Sequence, residues 1–218
     1  MMKQIAVLGL SRFGISVAKS LEKLDVEVMG VDVNPEKVAD VAREVTHVVQ
    51  ADVLDDDALN ALGLRNFDAV VLSIKNVEVS CLATINIKDR GVKYIVAQAI
   101  SDAHAEILKR IGADRVIIPE KDMGARLARN LGSENIIDYM ELSEEYSIME
   151  IGAPLEWTGK TLLQNDLRNK YGINVLAIRA SHGVLVSPQA DSVIRPDDLL
   201  VVMGTNQDLG KISRLSRH

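Results

Sequence analysis

Ile5-Ala-Val-Leu-Gly-Leu-Ser-Arg-Phe-Gly14, with Asp32 eighteen positions later, is the stretch that decides the fold. Ile5–Leu8 is an unbroken apolar run, the signature of a strand buried on both faces, and Gly9 ends it. Ile15, Ala18, Leu21 and Leu24 follow at helical spacing, with Lys19, Glu22 and Lys23 on the opposite side. Val26–Val31 reads as a second strand, closed by Asp32. Strand, glycine turn, helix, strand and acid is the order of a nucleotide-binding βαβ unit. One position departs from it. Gly9-x-Ser11-x-x-Gly14 carries Ser where the dinucleotide fingerprint has its second glycine.

Outward from that unit the rhythm repeats. Asn34-Pro35-Glu36 supplies an N-cap, a first helical residue and a dipole-matched acid. Val45–Val49 is a third strand, and Asp55 caps a helix that Gly63 stops. Ala69–Ile74 is a fourth strand. Val79–Ile87 is an unusually apolar helix, read either as core packing or as an oligomer contact. Tyr94–Ala97 and Arg115–Ile118 are strands five and six, around a helix capped by Ser101 or Asp102 and closed by Lys109, Arg110 and Gly112. Pro119-Glu120 lies at the end of the sixth strand, ahead of a helix over Met123–Leu131. The expected fold is a Rossmann-like doubly wound parallel sheet.

The pattern changes at Gly132-Ser-Glu-Asn135, so a first domain is expected over 1–134 and a second over 135–218. Acidic Asp138–Tyr146 reads as a connection. Strands over Ser147–Ile151, Val175–Arg179, Val184–Val186 and Leu199–Met203, with a helix over Gly159–Arg168, predict a small α+β domain around an antiparallel sheet. The turns between strands are Ser181-His-Gly183 and Arg195-Pro-Asp-Asp198.

Composition narrows the function. Apolar residues make up 47% of the chain but aromatics only 3%, and the net charge is −6. Scattered basic residues and few stacking rings argue against a nucleic-acid partner. The lone Cys81 has no disulfide partner and reads as inert core. The apolar run after Lys3 is too short for a leader, and Val79–Ile87, the longest uncharged stretch, is too short for a membrane span; a cytoplasmic protein is expected. His47, His104, His182 and His218 have no Cys or carboxylate at metal-ligand spacing, and no nucleophile elbow is present. No enzyme is expected.

Gly9 permits the tight turn, Gly14 lets helix and strand approach, and the helix N-terminus attracts an anion. Ser11 adds a Cβ that crowds a pyrophosphate and a hydroxyl that can donate to phosphate. Arg12, on the first helical turn, suits terminal phosphate oxygens, which ATP and ADP offer there and NAD does not; the alternative is a solvated arginine. Asp32 is placed for ribose hydroxyls, Asp52 and Val53 for adenine. Glu120 stands at the ligand-binding edge of the sheet, where a carboxylate beside phosphates calls for Mg²⁺ or Ca²⁺ between them. An NAD(H)-binding redox sensor or small oxidoreductase, and a sensor using only its C-terminal domain, are the competing readings.

Five motifs carry a family resemblance: Gly9-Leu-Ser-Arg-Phe-Gly14, Gly63-Leu-Arg-Asn-Phe67, Ile111-Gly-Ala-Asp-Arg115, Pro119-Glu-Lys-Asp-Met-Gly124 and Leu142-Ser-Glu-Glu-Tyr-Ser147. Together they resemble the cytosolic regulatory subunits of Ktr/Trk-type potassium uptake systems. Those subunits pair an RCK (KTN, TrkA-N) nucleotide domain with an RCK_C (TrkA-C) domain. The resemblance implies dimers assembled into an octameric gating ring under a membrane-embedded potassium-transporting subunit, with ATP and ADP holding different ring shapes. It implies phosphate contacts from Gly9, Ser11, Arg12 and Gly14, a ribose contact from Asp32 and adenine contacts from Asp52 and Val53, with Phe13 and Asn34 at the same cofactor site. Ser73, Ile74 and Gln98 would line the site, and Glu120 would help bind the divalent metal. It also implies a cyclic di-AMP site near Arg168 and Asn174. Ser11 and Gln98 depart from the family pattern, which has Gly and a basic residue there.

Overall fold

The computed structural model describes residues 3–132, 136–181, 183–212 and 215. Six parallel strands form the first sheet: β1 (Gln4–Leu8), β2 (Glu27–Asp32), β3 (His47–Gln50), β4 (Ala69–Leu72), β5 (Ile95–Gln98) and β6 (Arg115–Ile117). Their spatial order is β3-β2-β1-β4-β5-β6, the Rossmann order. The order reverses between β1 and β4, and the crevice beyond their carboxyl ends is where such sheets take ligands.

The helices are α1 (Arg12–Glu22), α2 (Pro35–Val41), α3 (Asp56–Leu62), α4 (Val77–Asp89), α5 (Asp102–Arg110) and α6 (Pro119–Leu131). Alternation along β1 divides the core. Ala6 and Leu8 pack on one face with Leu59, Ala83, Ile87 and Leu108 of α3, α4 and α5. Val7 packs on the other with Ala18 and Val41 of α1 and α2. A strand buried on both faces must be apolar throughout, which is why Ile5–Leu8 shows no polar alternation.

The expected caps form. Asn34 Oδ1 accepts from the N–H groups of Glu36 and Lys37 at 2.8 and 3.3 Å, and Pro35 opens α2. Asp55 caps α3, Gly63 ends it in the left-handed conformation, and Ser101 caps α5. Helix α4 buries Ser80, Ala83, Thr84 and Ile87, while Val77, Leu82 and Ile85 on its other side are more than a third exposed. Cys81 is half-buried beside that core, and burial pushes its thiol pKa up.

His104 of α5 is 2% exposed. Its Nδ1 accepts from the Ile100 N–H at 3.4 Å, and its Nε2 has no partner among the described residues. Burial disfavours the charged ring and lowers its pKa from the ordinary 6.5. The unfolded chain therefore takes up this proton at a higher pH than the folded chain, so stability falls as pH drops below about 6.5. Asp32, Asp138 and Asp208 sit below their ordinary 3.8, so their stabilising contribution is lost only at much lower pH. Urea midpoints are expected to fall between pH 7.5 and 5.5, and His104→Gln to flatten that fall. An unchanged slope in the variant contradicts the assignment.

The chain divides into two compact units, Met1–Lys121 and Asp122–His218. The boundary expected between 134 and 135 falls on residues 133–135, outside the described residues, as do His182 and His218. In the second unit β7 (Ile136–Glu141), β8 (Tyr146–Gly152), β9 (Asn174–Ala180), β10 (Gly183–Val186) and β11 (Leu199–Thr205) form an antiparallel sheet in the order β10-β9-β11-β8-β7. Of the segment read as an acidic connection, 138–141 belong to β7, 142–145 form the turn and Tyr146 opens β8. As an edge strand β7 keeps one side wet, so Asp138 and Glu141 are tolerated while Ile136 and Tyr139 pack inward.

The helix expected over Gly159–Arg168 is instead two. They are α7 (Leu162–Asn165), opened by a Thr161–Gln164 capping box, and α8 (Leu167–Tyr171), separated by Asp166 at φ 50°. A last helix, α9 (Asn206–Ile212), has no counterpart in the sequence reading and buries Leu209 and Ile212. The turn at Arg195–Asp198 forms as expected, with Asp198 Oδ2 accepting from the Arg195 N–H at 2.8 Å.

Candidate functional site

The crevice at the strand reversal holds a cavity of about 320 Å³. Gly9 and Ser11 line it from the turn after β1, Asp32 and Lys37 from β2 and α2, and Asp52 and Val53 from beyond β3. Ser73, Ile74 and Lys75 close it after β4. Seven of the residues singled out in sequence therefore meet around one space: Gly9, Ser11, Asp32, Asp52, Val53, Ser73 and Ile74.

The turn is built against Ser73. Gly9 has φ +92°, and a Cβ there would lie 2.5 Å from the Ser73 carbonyl oxygen. A Cβ on Gly14 would collide with the Gly9 carbonyl oxygen and sit 3.2 Å from Ser73 Oγ. Ser11 is the N-cap of α1, accepting from the Gly14 N–H at 3.3 Å. Its hydroxyl lies 2.5 Å from Ser73 Oγ, and Ser73 donates to Gln98 Oε1 at 2.8 Å. Since the Ser73 proton goes to Gln98, Ser11 is the donor in the first contact. The hydroxyl offered to phosphate in the sequence reading is turned toward Ser73 instead.

Asp32 is 7% exposed and held on both oxygens. Oδ2 accepts from the Leu10 N–H at 2.7 Å and from Lys37 Nζ at 3.1 Å; Oδ1 accepts from the Asn34 N–H at 2.9 Å. Burial raises its pKa, but the N–H groups of Asn34 and Leu10 and the Lys37 ammonium outweigh it and hold the carboxyl below the usual value. An ionised acceptor is thus fixed at the end of β2, where ribose hydroxyls sit in this fold.

Other singled-out residues stand around the cavity rather than on it. Arg12 is exposed at the start of α1, and Phe13 is half-buried behind the turn. Gly14 and Asn34 shape the turn and cap α2. Gln98 is 1% exposed, with its Nε2 unpartnered among the described residues, so it supports Ser73 from within the sheet. Glu120, in the first turn of α6, has its Oε1 3.7 Å from Lys75 Nζ, and both side chains are 62% exposed. That arrangement fits a divalent cation poorly, because the carboxylate already faces an ammonium. Lys37 and Lys75 were not singled out in sequence; neither falls in the glycine motif, and only the fold brings them to the cavity.

In the second unit, Arg168 and Asn174 line a common cavity of about 220 Å³ with Leu163 and Val175.

Residues 5–119 match the TrkA-N domain and residues 147–217 the TrkA-C domain. The chain is 44% identical over its whole length to Ktr system potassium uptake protein C of Bacillus subtilis, of which it covers 99%. It belongs to the Ktr/Trk family of regulatory RCK subunits. The RCK fold is matched by the GsuK channel bound to NAD, at TM-score 0.68 and 18% identity over 96% of this chain and 38% of that one. It is matched again by GsuK bound to ADP, at TM-score 0.53 and 16% identity over 60% and 34%. For this RCK chain those likenesses establish the fold and do not choose between the two nucleotides. No described helix is long and apolar enough to cross a membrane.

Proposed function

We propose that this chain is a non-enzymatic, cytoplasmic gating-ring subunit that binds an adenine nucleotide in the cavity of its first unit and so controls a membrane-embedded potassium-transporting partner. The observation that carries the reading is the convergence of the glycine turn, ionised Asp32 and Val53 on one cavity of nucleotide size, in a chain of this family. Gly9 and the start of α1 take the phosphates, Asp32 the ribose, and Asp52 and Val53 the adenine. Arg12, exposed at the start of α1, would turn toward a terminal phosphate, a contact that ATP and ADP offer and NAD does not. The exposed Val77, Leu82 and Ile85 of α4 suit contact between subunits of an octameric ring.

A ligand moves such a ring only by binding one shape better than another, so ATP and ADP must differ at their terminal phosphates. Arg168 and Asn174 offer a cation and an amide to a second ligand of cyclic di-AMP type in the second unit.

A thermal-shift panel of ATP, ADP, AMP, NADH and cyclic di-AMP tests the reading. At ligand concentrations of about a hundred times Kd, each true ligand is expected to stabilise the chain by roughly 3 kcal/mol. ATP and ADP should both do so. Stabilisation by NADH alone overturns the assignment in favour of a redox sensor.

A further inference from the structure

Of the described residues that line the first-unit cavity, the basic side chains are Lys37 and Lys75. Lys37 is engaged at the ribose end, 3.1 Å from Asp32 Oδ2. Lys75 stands at the other end, directly after Ser73 and Ile74 and one residue before Asn76, the N-cap of α4. Its ammonium faces Glu120. The buried amide of Gln98, turned to Ser73, brings no charge to this end.

We propose that Lys75 occupies the role of a divalent metal beside Glu120, serving as the counter-charge for the ligand's terminal phosphate, so that nucleotide binding by this chain is independent of metal. The inference rests on the nucleotide reading above. A carboxylate and a phosphate that share a site repel one another unless a cation lies between them. An ammonium carries three donors and can serve both oxygens at once. Mg²⁺ at a nucleotide is commonly held by one or two carboxylates together with phosphate and water oxygens, but here the Lys75 ammonium already stands before Glu120 and competes for that place. The Lys75–Glu120 pair is too exposed to add much stability, so it costs the fold little for Lys75 to turn toward a phosphate.

Titration calorimetry of ATP into the full chain and into Lys75→Met and Lys75→Arg tests this, each run once with EDTA and once with excess MgCl₂. The natural chain should show Kd values within about twofold in the two buffers. Lys75→Met should bind about tenfold more weakly in EDTA, as expected for loss of one charge-assisted contact, and regain affinity with Mg²⁺ now that Glu120 is free. Lys75→Arg should retain metal-independent binding. A natural chain that loses tenfold or more in EDTA, or a Lys75→Met chain unchanged there, overturns the proposal. Absence of ATP binding in both buffers overturns the nucleotide reading itself, and this inference with it.

Discussion

Gly14→Ala is expected to lower the melting temperature by roughly 5–10 °C, while Gly124→Ala raises it by about 2–4 °C. The two substitutions add the same methyl group to a helix. At Gly14 that methyl would meet the carbonyl oxygen of Gly9 and crowd Ser73, and neither backbone can move without opening β1 from β4. Overpacking against backbone costs about 1–3 kcal/mol. At Gly124 in α6 nothing lies within 4 Å of the added carbon, so what remains is alanine's better helix propensity, up to about 1 kcal/mol. Circular dichroism melts compare them directly. Equal shifts of the same sign would show that the close approach at the turn is not what makes Gly14 necessary. Gly14→Ala should also abolish nucleotide stabilisation, because the turn that takes the phosphates must move.

Trp157→Ala is expected to cost the second unit about 3–5 kcal/mol, the usual loss for emptying a large buried ring. Trp157 is 2% exposed in a core with Ile151, Ile194 and Leu200. Its ring lies 5.3 Å from that of Tyr171, tilted by 58°. The indole N–H donates to Glu156 Oε1, which also accepts from the Tyr171 hydroxyl at 2.6 Å; that hydrogen bond raises the tyrosine pKa. Asn165 Nδ2 donates to the Trp157 carbonyl, tying the loop to α7. Removing the ring leaves a cavity, and the Asn165 bond to the backbone carbonyl of position 157, which the substitution keeps, holds the loop in place around it. Hydrogen exchange should speed up in β8, β9 and β11 while β1, β2 and β4 keep their protection. Equal acceleration in both sheets would contradict separate cores.

The first unit was readable because its signals are local. A two-face-buried strand must be apolar at every position, Gly9 needs a positive φ, and Asn34-Pro35-Glu36 states its cap within three residues. The second unit was less so. Strand β7 is acidic because an edge strand can be, and Asp138 is held by Arg126 through contacts of 2.6 and 2.7 Å that no sequence pattern announces. The break between α7 and α8 depends on Asp166 adopting a left-handed conformation unusual for a residue other than glycine.

The site divides in the same way. The glycine turn and Asp32 belong to one motif, and both reach the cavity. Gln98, expected to line the site, is 1% exposed and accepts from the Ser73 hydroxyl at 2.8 Å, a pairing of the end of β4 with β5 that no local pattern states. Lys75 escaped notice because its meaning comes from Glu120, which is brought near only once β4 and β6 lie in one sheet.

Titration of ATP, ADP and NADH into the natural chain and into Asp32→Ala tests the central claim most directly. The account predicts that ATP and ADP bind the natural chain with different affinities, that NADH binds more weakly than either, and that Asp32→Ala weakens ATP and ADP by tenfold or more through loss of the ribose acceptor. Tighter binding of NADH than of ATP and ADP, or an ATP affinity unchanged in Asp32→Ala, would contradict it.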